Sequence, residues 1–249
     1  MTALPVLILA LGCLQDDVAD VPSEELQAGK DANKKWFLIG AKADAKSPEK
    51  GYGLIVVLPG GDGAAAFNPF VRRIYKNSVP EGFLLAQMVS VEWTPGQFKR
   101  LVWPTQKSAA QGMNFTTEEF FDAVVQDAGQ RQKIDASRVY TLSWSSGGPA
   151  AYAIAIRKNK PVAGSFVAMS VFNSKAHDLS HAKGQAFFLY QSGEDSVTPL
   201  EHAETAKTTL LGAGADVELK TYSGGHGWRG RFYPEIRAGL EWLDKKRDK

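Results

Sequence analysis

Cysteine is almost absent from this sequence, which has one such residue, Cys13, in 249 positions. A single thiol excludes an intrachain disulfide and a cysteine-rich metal site. Histidine is also scarce, with four residues. Because imidazole is the side chain that exchanges protons near neutral pH, any acid–base chemistry of that kind has few candidate residues here.

An excess of one charge is also missing. The formal net charge is +2, and the charged residues, 22% of the chain, are scattered. Basic residues form only short clusters, such as the one at 245–247, which fits the end of a last helix. With neither a basic face nor a known nucleic-acid-reading motif, the sequence predicts no nucleic-acid partner.

The apolar run at residues 3–12 is too short to cross a bilayer as a helix, but it has the length of a signal-peptide core. With small Gly12 before Cys13 and an acidic stretch after it, the segment resembles a bacterial lipoprotein signal. That resemblance implies a lipid on Cys13 and a membrane tether. Two features depart from it, since no Lys or Arg precedes the run and Ala10 stands where such signals usually carry Leu. A cleaved secretion signal and a buried N-terminal strand are the alternatives.

We therefore predict a signal segment at 1–13 and an exported protein, whether secreted, periplasmic or lipid-anchored. If the segment is not a signal, the protein is cytoplasmic. Residues 14–35 are mostly polar and contain Pro22 and Gly29, so they are interpreted as a tether or loosely packed lead-in.

The remainder, 36–249, has the pattern of one domain without repeats or linkers. Short apolar runs alternate with helical patterns, which predicts a mostly parallel central sheet with helices on both faces, a three-layer α/β sandwich. Predicted strands are 36–39, 53–58, 83–91, 138–143, 162–169, 186–190 and 217–222, and predicted helices are 116–131, 150–156, 200–211 and 232–243.

Ligands of such a sheet bind beyond the carboxyl ends of its strands, so reactive side chains are expected in the loops there. After strand 138–143 a serine-rich turn leads into a helix of small residues, which predicts a nucleophile elbow. Ser145 is favoured as nucleophile because Ser143 and Gly147, two residues before and after it, are both small. Ser146 would put bulky Trp144 at the tight position, and Ser143 would put the turn inside the strand. A serine-rich loop without chemistry is the alternative.

A histidine follows the last predicted strand. His226 is flanked by glycines, which allow the backbone to present an imidazole at a cleft. His177 and His181 lie in a polar stretch and His202 lies in a predicted helix. We therefore predict His226 as the general base, with a loop histidine of no function as the alternative.

An acid is expected after strand 186–190, where it could hold the histidine in the correct tautomer. Asp195 and Glu194 compete for this role, and Asp195 is favoured. An aspartate that only caps the next helix is the alternative, although Thr198, just before Pro199, suits that cap better.

The glycine turn at 59–63 follows the apolar strand 53–58. Backbone N–H groups there, with the N–H of Ser146, could stabilise an oxyanion. The turn lacks the Gly-Lys-Ser/Thr ending of a phosphate loop and the spacing of a dinucleotide site. A glycine turn, then Ser, Asp and His, each after a strand, is the order of these parts in an α/β-hydrolase.

Four segments carry a wider resemblance: VVLPGGDG, IDASRVYTLSWSSGGPAAYAIAI, GEDSVTP and YSGGHGW. They resemble the carboxylesterase/phospholipase, dienelactone-hydrolase and polyhydroxybutyrate-depolymerase-like branch of the α/β-hydrolases, from about residue 53 to the C-terminus. Two departures are visible. The acid segment differs slightly in spacing from G-x-x-D-x-x-V-P, so Asp195 is placed by its distance to Val197, and Pro59-Gly60 stands where the family often has His-Gly.

The resemblance implies an α/β-hydrolase fold for 36–249 and a triad of Ser145, Asp195 and His226. It also implies an oxyanion hole from the N–H groups of Gly61 and Ser146, with no metal and no organic cofactor. The expected partner is a small-molecule ester, cleaved through an acyl-enzyme intermediate.

Alternatives are a peptidase or thioesterase on the same scaffold, or a catalytically silent exported binding protein. No long insertion suggests a large lid, so short or accessible esters are expected. Trp93 and Trp103 follow strand 83–91 and could contact the substrate or anchor their loop, and anchoring is favoured.

Overall fold

The computed structural model describes residues 17–41 and 46–247. The predicted signal segment at 1–13, with Cys13, lies outside the described residues. None of the helices within the described ranges is both long and apolar enough to cross a bilayer.

One eight-stranded sheet organises the chain, with the strand order β1-β2-β4-β3-β5-β6-β7-β8. The six strands from β3 to β8 pair in parallel, and β1 and β2 add an antiparallel edge. Their carboxyl ends therefore meet along one edge, as the alternating pattern predicts. The strands are β1 Ser23–Gln27, β2 Lys35–Ile39, β3 Tyr52–Leu58, β4 Phe83–Met88, β5 Ile134–Trp144, β6 Gly164–Ala168, β7 Ala186–Ser192 and β8 Asp216–Tyr222.

Helices cover both faces of the sheet and create two core layers. In β3, Leu54 and Val56 belong to the layer under α2, α3 and α4, whereas Ile55 and Val57 belong to the layer under α1 and α5. This alternation explains why β3 is apolar throughout, since both of its faces are buried. The predicted three-layer α/β architecture is confirmed. The helices are α1 Asn68–Ser78, α2 Thr117–Arg131, α3 Gly148–Ala155, α4 Leu200–Gly212 and α5 Phe232–Arg247.

The described part of the polar lead-in, 17–35, is packed rather than loosely attached. Strand β1 pairs with β2, and Val18 and Ala28 are fully buried. The Arg72 guanidinium of α1 donates to the carbonyl oxygens of Val18 and Val21. The polar composition of this segment is explained by β1, which is an edge strand. Only one of its five side chains is buried, so the strand needs no long apolar run.

The sequence pattern predicts α2 but not α1. Pro69 in the first turn of α1 is a start signal, but the helix buries only two apolar side chains, Val71 and Ile74, and three of its eleven residues are basic. The α2 start is stronger because Thr116 and Glu119 form a reciprocal capping box.

Asp244 anchors the C-terminal helix to the sheet. Its carboxylate accepts two hydrogen bonds from Arg138, at 3.1 and 3.0 Å, and one from the Tyr140 hydroxyl at 2.7 Å. Burial by itself raises the pKa of Asp244, but the hydrogen bonds from Arg138 and Tyr140 outweigh burial, and the pKa lies below its ordinary value.

Asp244→Asn is expected to lower the free energy of unfolding by about 1.5–3 kcal/mol at pH 7, the range for hydrogen bonds to charged groups. Because the folded-state pKa is depressed, this contribution is present above the ordinary aspartate pKa and fades as the pH falls through the folded value. Urea unfolding at pH 7 and pH 3 measures it. Asp122→Asn, in the more exposed bidentate pair with Arg157, is the control and should cost less than about 1 kcal/mol. Equal losses in the two variants, or a loss at Asp244 that does not change with pH, would contradict the assignment.

Candidate active site

Three loops at the carboxyl edge of the sheet bring Ser145, His226 and Asp195 together. The His226 Nε2 atom lies 3.1 Å from the Ser145 hydroxyl oxygen. The Nδ1 atom of the same ring lies 2.8 Å from Asp195 Oδ2. The three side chains form one continuous hydrogen-bonded chain, although 31 and 81 positions separate His226 from its two partners.

Ser145 occupies a tight turn between β5 and α3. Its φ angle of 50° is in the left-handed region, which a serine rarely adopts, and such strain is typical of a functional turn. A Cβ atom at Gly147 would lie 2.2 Å from the Leu58 carbonyl oxygen, so only glycine fits there. Ser143, which replaces the usual first glycine, is fully buried and places its hydroxyl 3.3 Å from the Phe166 carbonyl oxygen. The serine at this position is therefore accommodated by the sheet.

Asp195 has a buried carboxylate that is surrounded by donors. Oδ1 accepts from the backbone N–H groups of Val197 and Thr198, both at 2.8 Å. Oδ2 accepts from the Thr198 hydroxyl at 2.8 Å and from the Gln191 side-chain amide at 3.1 Å, besides its contact with His226. Burial raises the pKa of Asp195, but the hydrogen bonds from Thr198 and His226 prevail and hold the pKa below its ordinary value. The carboxylate is therefore ionised at neutral pH and can orient a histidine.

Glu194, the alternative candidate for the triad acid, does not contact the His226 ring through a hydrogen bond among the described residues but bonds to the loop before it. Its Oε2 atom accepts from the backbone N–H of Gly224 at 3.2 Å, and the Ser192 hydroxyl accepts from that of Gly225, also at 3.2 Å. Glu194 thus supports the loop that carries His226 rather than the imidazole itself. The φ angles of 112° at Gly224 and 76° at Gly225 explain why glycines precede the histidine.

The glycine turn after β3 lies against the elbow. The Ser146 hydroxyl donates to the Gly61 carbonyl oxygen at 2.8 Å. Gly61 has a φ angle of 60°, and its N–H donates no hydrogen bond to another described residue. The two predicted oxyanion donors, the N–H groups of Gly61 and Ser146, therefore belong to residues that are in direct contact.

The two tryptophans beyond β4 have different environments. Trp103 is buried, and its indole N–H donates to the Pro59 carbonyl oxygen at 2.9 Å, which holds the long loop against the glycine turn. Trp93 packs edge-on against Phe115, with ring centroids 4.9 Å apart. Both contacts are of the anchoring kind that the sequence favoured.

Three polar residues near the triad were missed from the sequence. Thr198 was assigned to cap α4, but that helix begins after Pro199 without a side-chain cap, and the Thr198 hydroxyl is used by Asp195. Gln191 looked like an ordinary strand residue, although a buried glutamine in an apolar strand is a usable signal of a polar partner. Ser170 donates its hydroxyl to the Ser145 carbonyl oxygen at 2.6 Å.

The donor set offers little to a metal ion. Within 17–41 and 46–247, no group of three or more His, Cys, Asp or Glu side chains is arranged to hold one. A serine hydroxyl, an imidazole, an oriented carboxylate and nearby backbone N–H groups are together suited to nucleophilic catalysis.

Solved structures of other proteins share this architecture. The sequence matches no protein-family model and no curated protein significantly. The fold is similar to that of a Mesorhizobium loti carboxylesterase, with a TM-score of 0.65 and 15% identity over 89% of this chain and 98% of the other. It is also similar to a Rhizomucor miehei esterase (TM-score 0.68, 12% identity, 92% and 84% coverage) and to a Bacillus cereus carboxylesterase (0.61, 16%, 81% and 92%). The chain therefore has the α/β-hydrolase fold, as expected.

Gly147→Ala is expected to destabilise the protein by about 3 kcal/mol, at the upper end of overpacking costs, because the new Cβ would collide with the Leu58 carbonyl. Gly129→Ala is the matched control, since a Cβ there meets nothing within 4 Å inside α2, and it should be neutral or stabilise by up to about 1 kcal/mol. Thermal unfolding of the two variants measures both effects. Similar melting temperatures for the two would mean that the elbow is not sterically constrained.

Proposed function

We propose that this protein is a serine hydrolase that cleaves carboxylic esters through an acyl-enzyme intermediate. The observation that carries the proposal is the hydrogen-bonded chain from Asp195 through His226 to Ser145. Its support is geometric, because each member lies within hydrogen-bond distance of the next. The fold shared with carboxylesterases is consistent with it but does not choose the reaction.

In the proposed mechanism the Ser145 oxygen attacks the ester carbonyl carbon while His226 Nε2 takes the hydroxyl proton. Asp195 accepts a hydrogen bond from Nδ1–H, which fixes the tautomer and stabilises the imidazolium ion. His226 then returns the proton to the leaving alkoxide, the alcohol departs, and the acyl group remains on Ser145. Water, deprotonated by the same imidazole, attacks the acyl carbon. The bond between that carbon and the Ser145 oxygen then breaks, His226 returns the proton to this oxygen, and the carboxylic acid leaves.

The negative oxygen that forms in each step needs fixed donors. We assign the N–H groups of Gly61 and Ser146 to this role, because the hydrogen bond between the Ser146 side chain and Gly61 joins the two backbone segments. Donors that are held in position before the reaction stabilise developing charge without reorganisation, and one such donor contributes about 10²–10³ in rate.

The first test is covalent labelling with a fluorophosphonate probe, which reacts with an activated serine. Wild-type protein should be labelled on Ser145, and Ser145→Ala should lose both the label and ester hydrolysis because the nucleophile is gone. Ser143→Ala is the control within the same motif and should retain labelling. Mass spectrometry of the labelled peptide identifies the residue. An unlabelled wild-type protein, or equal labelling of Ser145→Ala, would refute the proposal.

A panel of p-nitrophenyl esters, thioesters and peptides identifies the class of substrate. The expected result is faster turnover of esters than of peptides. Preference for a thioester or a peptide would keep the triad and change the substrate, and labelling without turnover of any substrate would favour a binding protein.

Ser146→Ala tests the contact between the elbow and the glycine turn. The backbone N–H remains but the hydrogen bond to the Gly61 carbonyl is lost, so we expect kcat to fall by about tenfold, the equivalent of 1.4 kcal/mol. KM should change little, since the donors act mainly in the transition state. Steady-state kinetics with a p-nitrophenyl ester measure both constants, and an unchanged kcat would remove this contact from the mechanism.

A further inference from the structure

Large apolar side chains are exposed at three positions among the described residues, namely Val171 at 36%, Val197 at 65% and Leu211 at 47%. A single exposed apolar residue is ordinary on a protein surface and by itself indicates nothing. Two of these three, however, lie in loops beside the candidate triad, and the third lies on α4.

The two valines come from neighbouring strands. Strands β6 and β7 pair in parallel up to Ala168 and Tyr190, so the loops that follow them leave the same edge of the sheet side by side. Val171 is in the loop after β6, and Val197 is in the loop after β7. Strand β5, which ends at the elbow, is the other neighbour of β6.

A hydrogen bond from each of the two valine loops reaches a residue of the triad. The residue before Val171 is Ser170, whose hydroxyl donates to the Ser145 carbonyl oxygen at 2.6 Å. The backbone N–H of Val197 donates to Asp195 Oδ1 at 2.8 Å. Both side chains therefore start from backbone that is fixed relative to the reacting groups.

Buried residues hold both loops, although Ser196, which precedes Val197, is exposed, so the exposure of the valines is not a sign of a loose loop. Ser170 and Phe172 are 5% and 7% exposed, and Phe172 packs against Tyr152 with ring centroids 4.8 Å apart. On the other loop, Thr198 is buried and bonded to Asp195. A rigid backbone that presents an apolar side chain to solvent beside a reactive serine is preorganised to contact a ligand.

We infer that Val171 and Val197 are specificity-determining residues that contact an apolar substituent of the ester, either its acyl chain or its alkyl alcohol. This inference rests on the proposed function and names the substrate class for that site. Two valines at an open surface can cover only a few methylene groups. The substrate is therefore a short-chain, uncharged ester, and carbons beyond the valines would extend into solvent.

The expected signature is a rise in kcat/KM with chain length over the first few carbons, followed by a plateau. Each methylene group that leaves water contributes about 0.8 kcal/mol, which is roughly fourfold. Two series of substrates separate the two substituents: p-nitrophenyl acetate, propionate, butyrate and hexanoate vary the acyl chain, and methyl to butyl acetates vary the alcohol.

Val171→Thr and Val197→Thr keep the branched shape and add a hydroxyl, so they should fold like wild type. We expect each to lower the butyrate-to-acetate ratio of kcat/KM, or the butyl-to-methyl ratio, by about three- to tenfold. Leu211→Asn, the matched control at the third exposed apolar position, should leave both ratios unchanged. Melting temperatures of all three variants verify folding.

Wild-type ratios in both threonine variants, with wild-type melting temperatures, would overturn this inference while leaving the proposed function intact. Loss of the preference in Leu211→Asn as well would overturn it too, because the effect would then not depend on the position beside the triad. Absence of fluorophosphonate labelling and of ester turnover in the wild-type protein would overturn both proposals together.

Discussion

The close approach of the Gly147 backbone to Leu58 is the constraint on which the rest of the site depends. Strand β5 ends, the chain turns at Ser145, and α3 begins within a few residues, so the turn passes directly over the end of β3. There is no room for a side chain at Gly147, and Ser145 adopts a left-handed φ that raises its hydroxyl above the sheet edge. Strain of this kind persists only where surrounding structure enforces it. Here the carboxyl ends of two parallel strands, where Leu58, Leu142 and Ser143 are fully buried, provide that enforcement.

Electrostatics impose a second requirement, since an aspartate is useful to the histidine only if it stays ionised. Burial of the Asp195 carboxyl opposes ionisation, and an unpartnered buried charge would be lost by protonation. Four hydrogen-bond donors besides His226 reverse that tendency, two from the backbone of Val197 and Thr198 and two from the side chains of Thr198 and Gln191. The loop 195–198 therefore folds around its own carboxylate, and the strand supplies the remaining donor.

The parts of this site that could be predicted from the sequence are those with local signals. Ser145 was identified from the small residues two positions to each side, and His226 from the glycines around it. The parallel sheet followed from the alternation of apolar runs and helical patterns. Gln191 and Ser170 carried no such signal, because their importance depends on which strands become neighbours in the fold.

Strand β1 and helix α1 show the same limit for secondary structure. Each of them buries only a few residues. The place of β1 at the edge of the sheet is fixed by its pairing with β2, and α1 is held by the contact of Arg72 with the backbone before β1. The predicted role of Thr198 as a helix cap is wrong for a different reason. A threonine before a helix is a good cap in general. Here, however, the Thr198 hydroxyl donates to the ionised Asp195 carboxylate, and α4 has no side-chain cap.

The loops of the site are also joined to one another directly, and not only through the sheet. Ser146 binds the glycine turn after β3, Ser170 binds the elbow from the loop after β6, and Glu194 binds the histidine loop from the loop after β7. Every one of these contacts pairs a side chain of one loop with the backbone of another. A side-chain hydroxyl or carboxylate has a short reach, so each bond fixes the separation of two loops to within a few tenths of an ångström. The relative positions of Ser145, Asp195 and His226 are therefore set before any ligand arrives, which is the condition for catalysis by preorganised groups.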